Sequence, residues 1–133
     1  MSARVSILRD ATHKLIEGGD TSGIPDYFAE NYIVNFGSSR KSGHESIRGF
    51  TKAIHAAFAR LRVDLETLIE ADDRVAWRRT IHGTQTGAFQ GFPASGLDLT
   101  WHEMVVSRFV NGKIAEEWVV SDLAEVLLRS RKR

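Results

Sequence analysis

Apolar and polar residues in the first third of the chain repeat at helical spacing. The first predicted helix ends at Gly18-Gly19 and carries an apolar stripe formed by Val5, Leu8, Leu15 and Ile16. A short second helix is predicted to begin near Ile24-Pro25, because proline is tolerated in the first turn of a helix. The apolar, partly β-branched segment Tyr32–Phe36 then predicts a strand.

A longer amphipathic helix is predicted after this strand. Ser42 and Glu45 have the spacing of a capping box, in which each side chain binds a free backbone N–H at the helix start. Apolar residues follow at steps of three and four, which indicates a helix with one face toward a core: Ile47, Phe50, Ile54, Phe58 and Leu61.

From Val63 onward the period changes to two, which is typical of half-buried strands. Four strands and a closing helix are predicted, in the order Val63–Glu70, Arg74–Thr86, Leu97–Val110, Lys113–Ser121 and a helix from about Asp122. The pattern predicts an α+β fold, in which helices cover one face of a curved antiparallel sheet.

The dipeptide Asn111-Gly112 is a strong hairpin signal and lets the facing residues be worked out. With a two-residue turn, Val110 lies opposite Lys113, and paired residues point to the same side of the sheet. One face then carries apolar and aromatic residues with a carboxylate in its middle: Trp101, Glu103, Val105, Phe109, Ile114, Trp118 and Val120, with Asp122 at its end. On the outer face, Met104, Val106 and Val119 form an apolar row that suggests an interface. A shift of one residue would exchange the two faces.

Two charged residues fall in apolar rows of neighbouring strands. Glu103 lies among the residues above, and Arg79 alternates with Val75, Trp77 and Ile81. Because a lone buried charge is costly, we expect the two to pair in a pocket lined by the three tryptophans. The alternative is that Glu103 lies at an open rim and the Arg79 side chain extends to water.

Composition and charge narrow the class of protein. The 133 residues are enough for one domain, 1–133, and there are no cysteines for disulfides or thiolate chemistry. The net charge of +1 includes four basic residues within 129–133, so the remainder is mildly acidic and nucleic acid is an unfavourable partner. We expect residues 129–133 to be a disordered tail. No apolar run is long enough for a membrane span and the N-terminus lacks a signal-peptide pattern, so a cytoplasmic location is predicted.

Two segments resemble the SnoaL-like polyketide cyclases, of the nuclear transport factor 2-like and ketosteroid isomerase-like superfamily. The glycine-punctuated stretch 78–93 and the hairpin 108–118 followed by Asp122 carry the resemblance, and Tyr32, Asn35 and the segment 43–50 fit more loosely. The resemblance implies a cone-shaped α+β barrel, with N-terminal helices and a curved sheet enclosing one deep apolar pocket. It also implies a homodimer or a larger homo-oligomer.

The characterised cyclases of this family close a ring by aldol condensation without a metal or organic cofactor, and an aspartate on the last strand acts as acid and base. Carried over residue by residue, that aspartate falls at Val119, a pocket glutamine at Glu103, a histidine at Val105 and an asparagine at Val34, beside Asn35. The scaffold therefore matches, whereas the known acid/base residue is replaced.

The leading interpretation is a cofactor-independent enzyme that transfers protons on a hydrophobic, cyclic small molecule. Glu103 would be the acid or base and Arg79 would orient it or stabilise an oxyanion, with Asp122 as either a second carboxylate or a helix N-cap. The predicted substrate-binding residues are Trp77, Trp101, Val105, Trp118, Val120, Asn35 and Phe50. No metal site is predicted, since His82 and His102 have no acidic residue at ligand spacing. The alternatives are an isomerase-like enzyme, an epoxide hydrolase with Glu103, Asp122 and Arg79 around a water, or a non-catalytic module that binds a hydrophobic ligand.

Overall fold

The N-terminal helix begins at a serine cap. In the computed structural model, which describes residues 2–131, helix α1 spans Ala3–Thr12 and the Ser2 hydroxyl accepts the N–H of Val5. A π-helical turn, His13–Glu17, continues α1 up to Gly18. Because the π turn adds a residue, Leu15 and Ile16 both turn toward the interior. The predicted first helix is confirmed.

The next four elements are two helices and the two strands at one edge of the sheet. They are helix α2 (Ile24–Tyr27), strands β1 (Phe28–Phe36) and β2 (Ser39–Ser42), and helix α3 (His44–Ala57). The predicted capping box at Ser42 is wrong, because Ser42 pairs with Ile33 in the β1–β2 hairpin and Gly43 takes the cap position at a φ of 81°. The predicted amphipathic face of α3 is correct up to Ala57, after which Phe58 and Leu61 belong to the next strand.

The second half of the chain is a four-stranded meander followed by a helix. Its elements are β3 (Phe58–Ala71), β4 (Arg74–Gln85), β5 (Asp98–Val110), β6 (Lys113–Ser121) and α4 (Leu123–Ser130). The six strands form one curved, unclosed sheet in the order β2-β1-β6-β5-β4-β3, and β1 runs parallel to β6. The predicted α+β fold is confirmed, whereas the parallel pair was not predicted.

A β-bulge in β6 corrects the predicted hairpin register. Phe109 pairs with Ile114 as expected, but Arg108 then pairs with Glu116, so Ala115 is an extra residue. Beyond the bulge every β6 side chain lies on the face opposite to the predicted one. The prediction is therefore wrong for Trp118 and Val120, which pair with Val106 and Met104 on the outer face.

The bulge also turns two other residues inward. Val119 pairs with Val105 and Glu117 pairs with Ser107, and all four are buried. The predicted outer apolar row is therefore corrected as well: it contains Val120 rather than Val119.

Two apolar clusters fill the space between the helices and the inner face of the sheet. The first includes Leu8, Phe28 and Trp77, and the second includes Ile54, Phe58 and Trp101. Among residues 2–131, no helix is long and apolar enough to cross a membrane.

The predicted disordered tail starts too early. Arg129 and Ser130 belong to α4, and the Arg131 guanidinium lies 5.7 Å from the ring centre of Phe92. Lys132 and Arg133 lie outside the described residues.

Candidate active site

A cavity of about 560 Å³ lies between the helices and the inner face of the sheet. Its walls come from α1, the π turn, α3, β1, β4, β6 and the loop after β4, and most of the lining is apolar, including Leu8, Ile47, Phe50, Phe89 and Ile114. Ser39, Lys41 and Glu45 are exposed residues of the lining and form its rim. A volume of this size is typical of small-molecule sites.

An ion pair lies at the floor of the cavity. Nε and Nη2 of Arg79 lie 2.7 and 2.6 Å from Oε1 of Glu103, because Arg79 and Glu103 are direct partners in the β4–β5 ladder. The side chain of Glu103 is 1% exposed and that of Arg79 is 13% exposed. The expected pairing is therefore present, and Arg79 lines the cavity while Glu103 lies behind it.

A second carboxylate, Glu117, reaches the cavity floor from β6. It accepts hydrogen bonds from the Tyr32 hydroxyl at 2.7 Å and from the Ser107 hydroxyl, and Ser107 in turn accepts the indole N–H of Trp77 at 2.9 Å. Because the Ser107 oxygen accepts the hydrogen bond from the indole N–H, the hydroxyl hydrogen of Ser107 is left to donate to Glu117. Each oxygen of the Glu117 carboxylate therefore accepts one hydrogen bond from a hydroxyl group.

Burial and the neighbouring charges shift the pKa values of Tyr32 and Arg79, the two titratable groups near Glu117. Burial raises the pKa of Tyr32 well above its ordinary value, and the charge and hydrogen bond of Glu117 add to this effect. Burial acts to lower the pKa of Arg79, but the charges of Glu103 and then Glu117 outweigh it and raise it overall. Tyr32 therefore stays a neutral donor and Arg79 a cation throughout the physiological range.

The structure brings together only part of the predicted site. Of the predicted residues, Arg79, Trp77 and Phe50 line the cavity. Trp101 and Val105 are buried in the core clusters, and Trp118 and Val120 lie on the outer face.

Asn35 and Asp122 also point elsewhere. The Asn35 amide binds Glu116, 3.0 Å away, and the backbone carbonyl of Glu117. Asp122 occupies the N-cap position of α4, but its carboxylate binds the backbone N–H and the ring of His102 instead of the helix. Among residues 2–131, no three His, Asp or Glu side chains converge as a metal site would require.

Sequence reasoning missed Glu117, Tyr32 and Ser107. The missed signal is Ser107 itself, a polar residue that alternates with Val105 and Phe109 in an otherwise apolar row. The adjacent apolar residues Ile114 and Ala115 are a second signal, because two consecutive buried positions in a strand indicate a bulge.

The chain belongs to the SnoaL-like polyketide cyclase family, whose model matches residues 6–129. No curated protein sequence matches it. Among solved structures, AclR from Streptomyces galilaeus, provisionally named a hydroxylase, is 25% identical with a TM-score of 0.83, over 98% of this chain and 82% of AclR.

Two further structures share the fold at lower identity. TsrD from Streptomyces laurentii is 23% identical with a TM-score of 0.85, over 98% of this chain and 96% of TsrD. A protein from Acidithiobacillus ferrooxidans, provisionally named a polyketide cyclase, is 20% identical with a TM-score of 0.86, over 98% of this chain and 96% of its own.

Proposed function

We propose that this protein is an enzyme that transfers protons on a hydrophobic, carbonyl-containing cyclic molecule. Family membership supports a small-molecule enzyme of the cyclase or hydroxylase type, and the cavity has the size and apolar lining for a substrate of this kind. The observation that carries the proposal is the Arg79 guanidinium, a fixed cation at the floor of an apolar cavity.

Arg79 would stabilise the negative charge that forms on the substrate oxygen when a proton leaves the neighbouring carbon. The Glu103 carboxylate binds Nε and Nη2 of Arg79, and no hydrogen bond among the described residues uses the third guanidinium nitrogen, Nη1. A preorganised donor of this kind contributes about 10²–10³ in rate when water is excluded. Because Arg79 supplies the positive charge, the proposed step needs no metal or organic cofactor. It also does not rest on position 119, where the resemblance places the cyclase aspartate and this chain has Val119.

The role of Glu103 follows from its position behind Arg79. Its carboxylate is buried and its Oε1 is occupied by the guanidinium, so we propose that it positions Arg79 and does not itself contact the substrate. This replaces the acid/base role that the sequence favoured.

The test uses two probes, because the natural substrate is unidentified. Hydrogen–deuterium exchange at the carbon next to the carbonyl of 1-tetralone, followed by NMR in D₂O, reports proton transfer. Binding of 2-naphthol, whose absorbance distinguishes naphthol from naphtholate, reports stabilisation of an oxyanion. We expect Arg79→Met to slow exchange at least about 100-fold and to weaken naphtholate binding about 10- to 100-fold.

Arg78→Met is the matched control for this experiment. Arg78 is the neighbouring residue on the outer face of β4, where it pairs with Glu66 at 3.1 Å. We expect it to leave both readouts unchanged. If wild-type protein does not accelerate exchange, or if Arg79→Met binds naphtholate as well as wild type does, the proposed function is wrong. Binding of the neutral 2-methoxynaphthalene without turnover would favour a non-catalytic module.

Epoxide hydrolysis is a second candidate, because two carboxylates flank one arginine. Glu103 and Glu117 both act on Arg79, whereas Asp122 points to His102. Glu117, which lines the cavity, would activate a water beside an epoxide oxygen held by Arg79, and Glu103 would hold the arginine from behind. Conversion of cyclohexene oxide to its diol, with loss in Arg79→Met and no exchange of 1-tetralone, would favour this candidate.

We also propose that the protein is a homodimer or a larger homo-oligomer that assembles through the outer face of the sheet. Met104 is 47% exposed and Val120 is 70% exposed, and they pair directly across β5 and β6 beside Val106 and Trp118. An exposed apolar row in the middle of a sheet face is typical of an interface between protein chains.

A further inference from the structure

Glu117 differs from Glu103 in how its charge is held. Glu103 is bound directly by Arg79, whereas the hydrogen-bond partners of Glu117 in the described residues are two neutral hydroxyls. Each carboxylate oxygen that accepts one hydrogen bond retains a lone pair for a further proton. Glu117 also lines the cavity, which Glu103 does not. At the cavity floor, the acidic group that a bound molecule would meet is therefore Glu117, whereas Glu45 lies at the rim.

We propose that Glu117 is the catalytic base of this site, with Tyr32 and Ser107 as the residues that position it. This inference rests on the proposed function. The C–H bond next to the substrate carbonyl breaks, its proton goes to the Glu117 carboxylate, and its electron pair forms an enolate whose oxygen faces Arg79. In the reverse direction the Glu117 carboxylic acid returns the proton to carbon.

The charge balance of the cavity floor favours this assignment. Arg79, Glu103 and Glu117 together carry a net charge of −1, so an incoming anion is disfavoured while Glu117 is ionised. When the proton moves from the substrate to Glu117, the substrate gains the negative charge that Glu117 loses. The total stays at −1, and the enolate forms next to Arg79 with no unpaired carboxylate facing it.

The placement of Tyr32 and Ser107 supports the same role. The Tyr32 ring packs edge-on against Phe28 with centroids 5.0 Å apart, and Ser107 is fixed by the indole of Trp77. The Tyr32 ring and the Ser107 hydroxyl are thus each held by a buried aromatic residue, which fixes the carboxylate without neutralising it. A carboxylate held in this way can act as a base without first breaking an ion pair.

The test is Glu117→Gln, which preserves the shape of the side chain and allows hydrogen bonds with both hydroxyls. We expect exchange of 1-tetralone to fall about 100-fold or more, since general base catalysis contributes 10²–10⁴-fold. We expect naphtholate to bind about tenfold more tightly, because a nearby negative charge is removed, and 2-methoxynaphthalene to bind unchanged. Tighter naphtholate binding would show that Glu117 is charged and faces the bound molecule, and the loss of exchange together with it would show that Glu117 is the base.

Glu116→Gln is the matched control, since Glu116 is the adjacent residue and points to Arg108 and Asn35 outside the cavity. We expect it to change neither readout. Tyr32→Phe provides a second variant in case Glu117→Gln does not fold. It should lower kcat about tenfold at constant KM, because the base loses one of its two donors.

The outcomes separate the two proposals. If wild type exchanges 1-tetralone and Arg79→Met loses this activity, but Glu117→Gln keeps the exchange rate of wild type, the base assignment is wrong and the proposed function stands. If Glu117→Gln does not fold and Tyr32→Phe folds with wild-type kcat, the assignment is equally wrong. If wild type shows no exchange at all, the proposed function fails and the base assignment fails with it.

Discussion

The Arg79–Glu103 pair allows a quantitative prediction about stability. Removing one partner of a buried ion pair leaves an uncompensated charge, which costs about 3–5 kcal/mol. Arg79→Met leaves the Glu103 carboxylate, 1% exposed, with no cation bonded to it, so its cost should fall in this range. Glu103→Gln should cost less, about 1–3 kcal/mol, because Arg79 borders the cavity and still faces the charge of Glu117.

The double variant, compared with the two single variants, gives the interaction energy between Arg79 and Glu103 apart from the free energy lost by replacing each residue alone. Replacing both charges by neutral groups of similar size is often close to neutral, so the double variant should be more stable than Arg79→Met alone. Urea unfolding followed by tryptophan fluorescence measures the free energy of unfolding of all three variants. With a slope of about 2 kcal/mol per molar urea, a loss of 4 kcal/mol lowers the midpoint by about 2 M.

The surface pair of Arg78 and Glu66 is the internal control, because both of its side chains are about half-exposed. Its coupling energy should lie within about 0–1 kcal/mol. Strict additivity of Arg79→Met and Glu103→Gln would refute the reasoning, because it would mean that the two charges do not stabilise one another. A larger loss in Glu103→Gln than in Arg79→Met would also refute it.

Three further predictions concern other parts of the molecule. Val120→Glu should convert the proposed oligomer to a folded monomer in light scattering, and a monomeric wild type would contradict the proposal. Burial acts to raise the pKa of Glu17, but hydrogen bonds from the N–H of Val63 and from His13 outweigh it, so the pKa lies below its ordinary value of 4.5. The stability from Glu17 is therefore present above about pH 4.5 and lost as the pH falls further, and Glu17→Gln should flatten the acid side of the unfolding free energy against pH. Gly87→Ala should cost about 1–3 kcal/mol in urea unfolding because its Cβ would meet a backbone carbonyl of α3, whereas Gly49→Ala has open space and should gain about 1 kcal/mol; equal effects would contradict this.

The elements that depend on local periodicity were predictable from the sequence. The amphipathic face of α3, the meander from β3 to β6 and the turn at Asn111-Gly112 all follow from spacing and turn chemistry. The parallel pairing of β1 with β6 was not predictable, because it joins segments about 80 residues apart and no local pattern specifies it. The four-residue strand β2 was missed because its exposed residues Ser39–Ser42 have no alternation to detect.

Only part of the candidate site was predictable, because the rest depends on long-range packing that no local sequence pattern specifies. Arg79 and Glu103 were found because a charge within an apolar row must have a partner, and the β4–β5 register brought them together. Glu117 was missed because the bulge at Ala115 changes the face of every later residue of β6. Turn chemistry fixes the start of a hairpin, whereas a bulge is set by packing against other elements.

The bulge at Ala115 makes the chemistry of this pocket depend on chain length as well as on residue identity. Deleting one residue between Lys113 and Glu116 would restore an unbroken ladder, which would turn Trp118 inward and Glu117 toward solvent. Deletion of a single codon would thus replace a carboxylate at the cavity floor with an indole side chain, without any substitution. In descendants of a common ancestor, a gain or loss of this kind would redirect substrate preference in one step. Alignments of relatives across this strand should therefore be anchored on the bulge before residues are compared position by position.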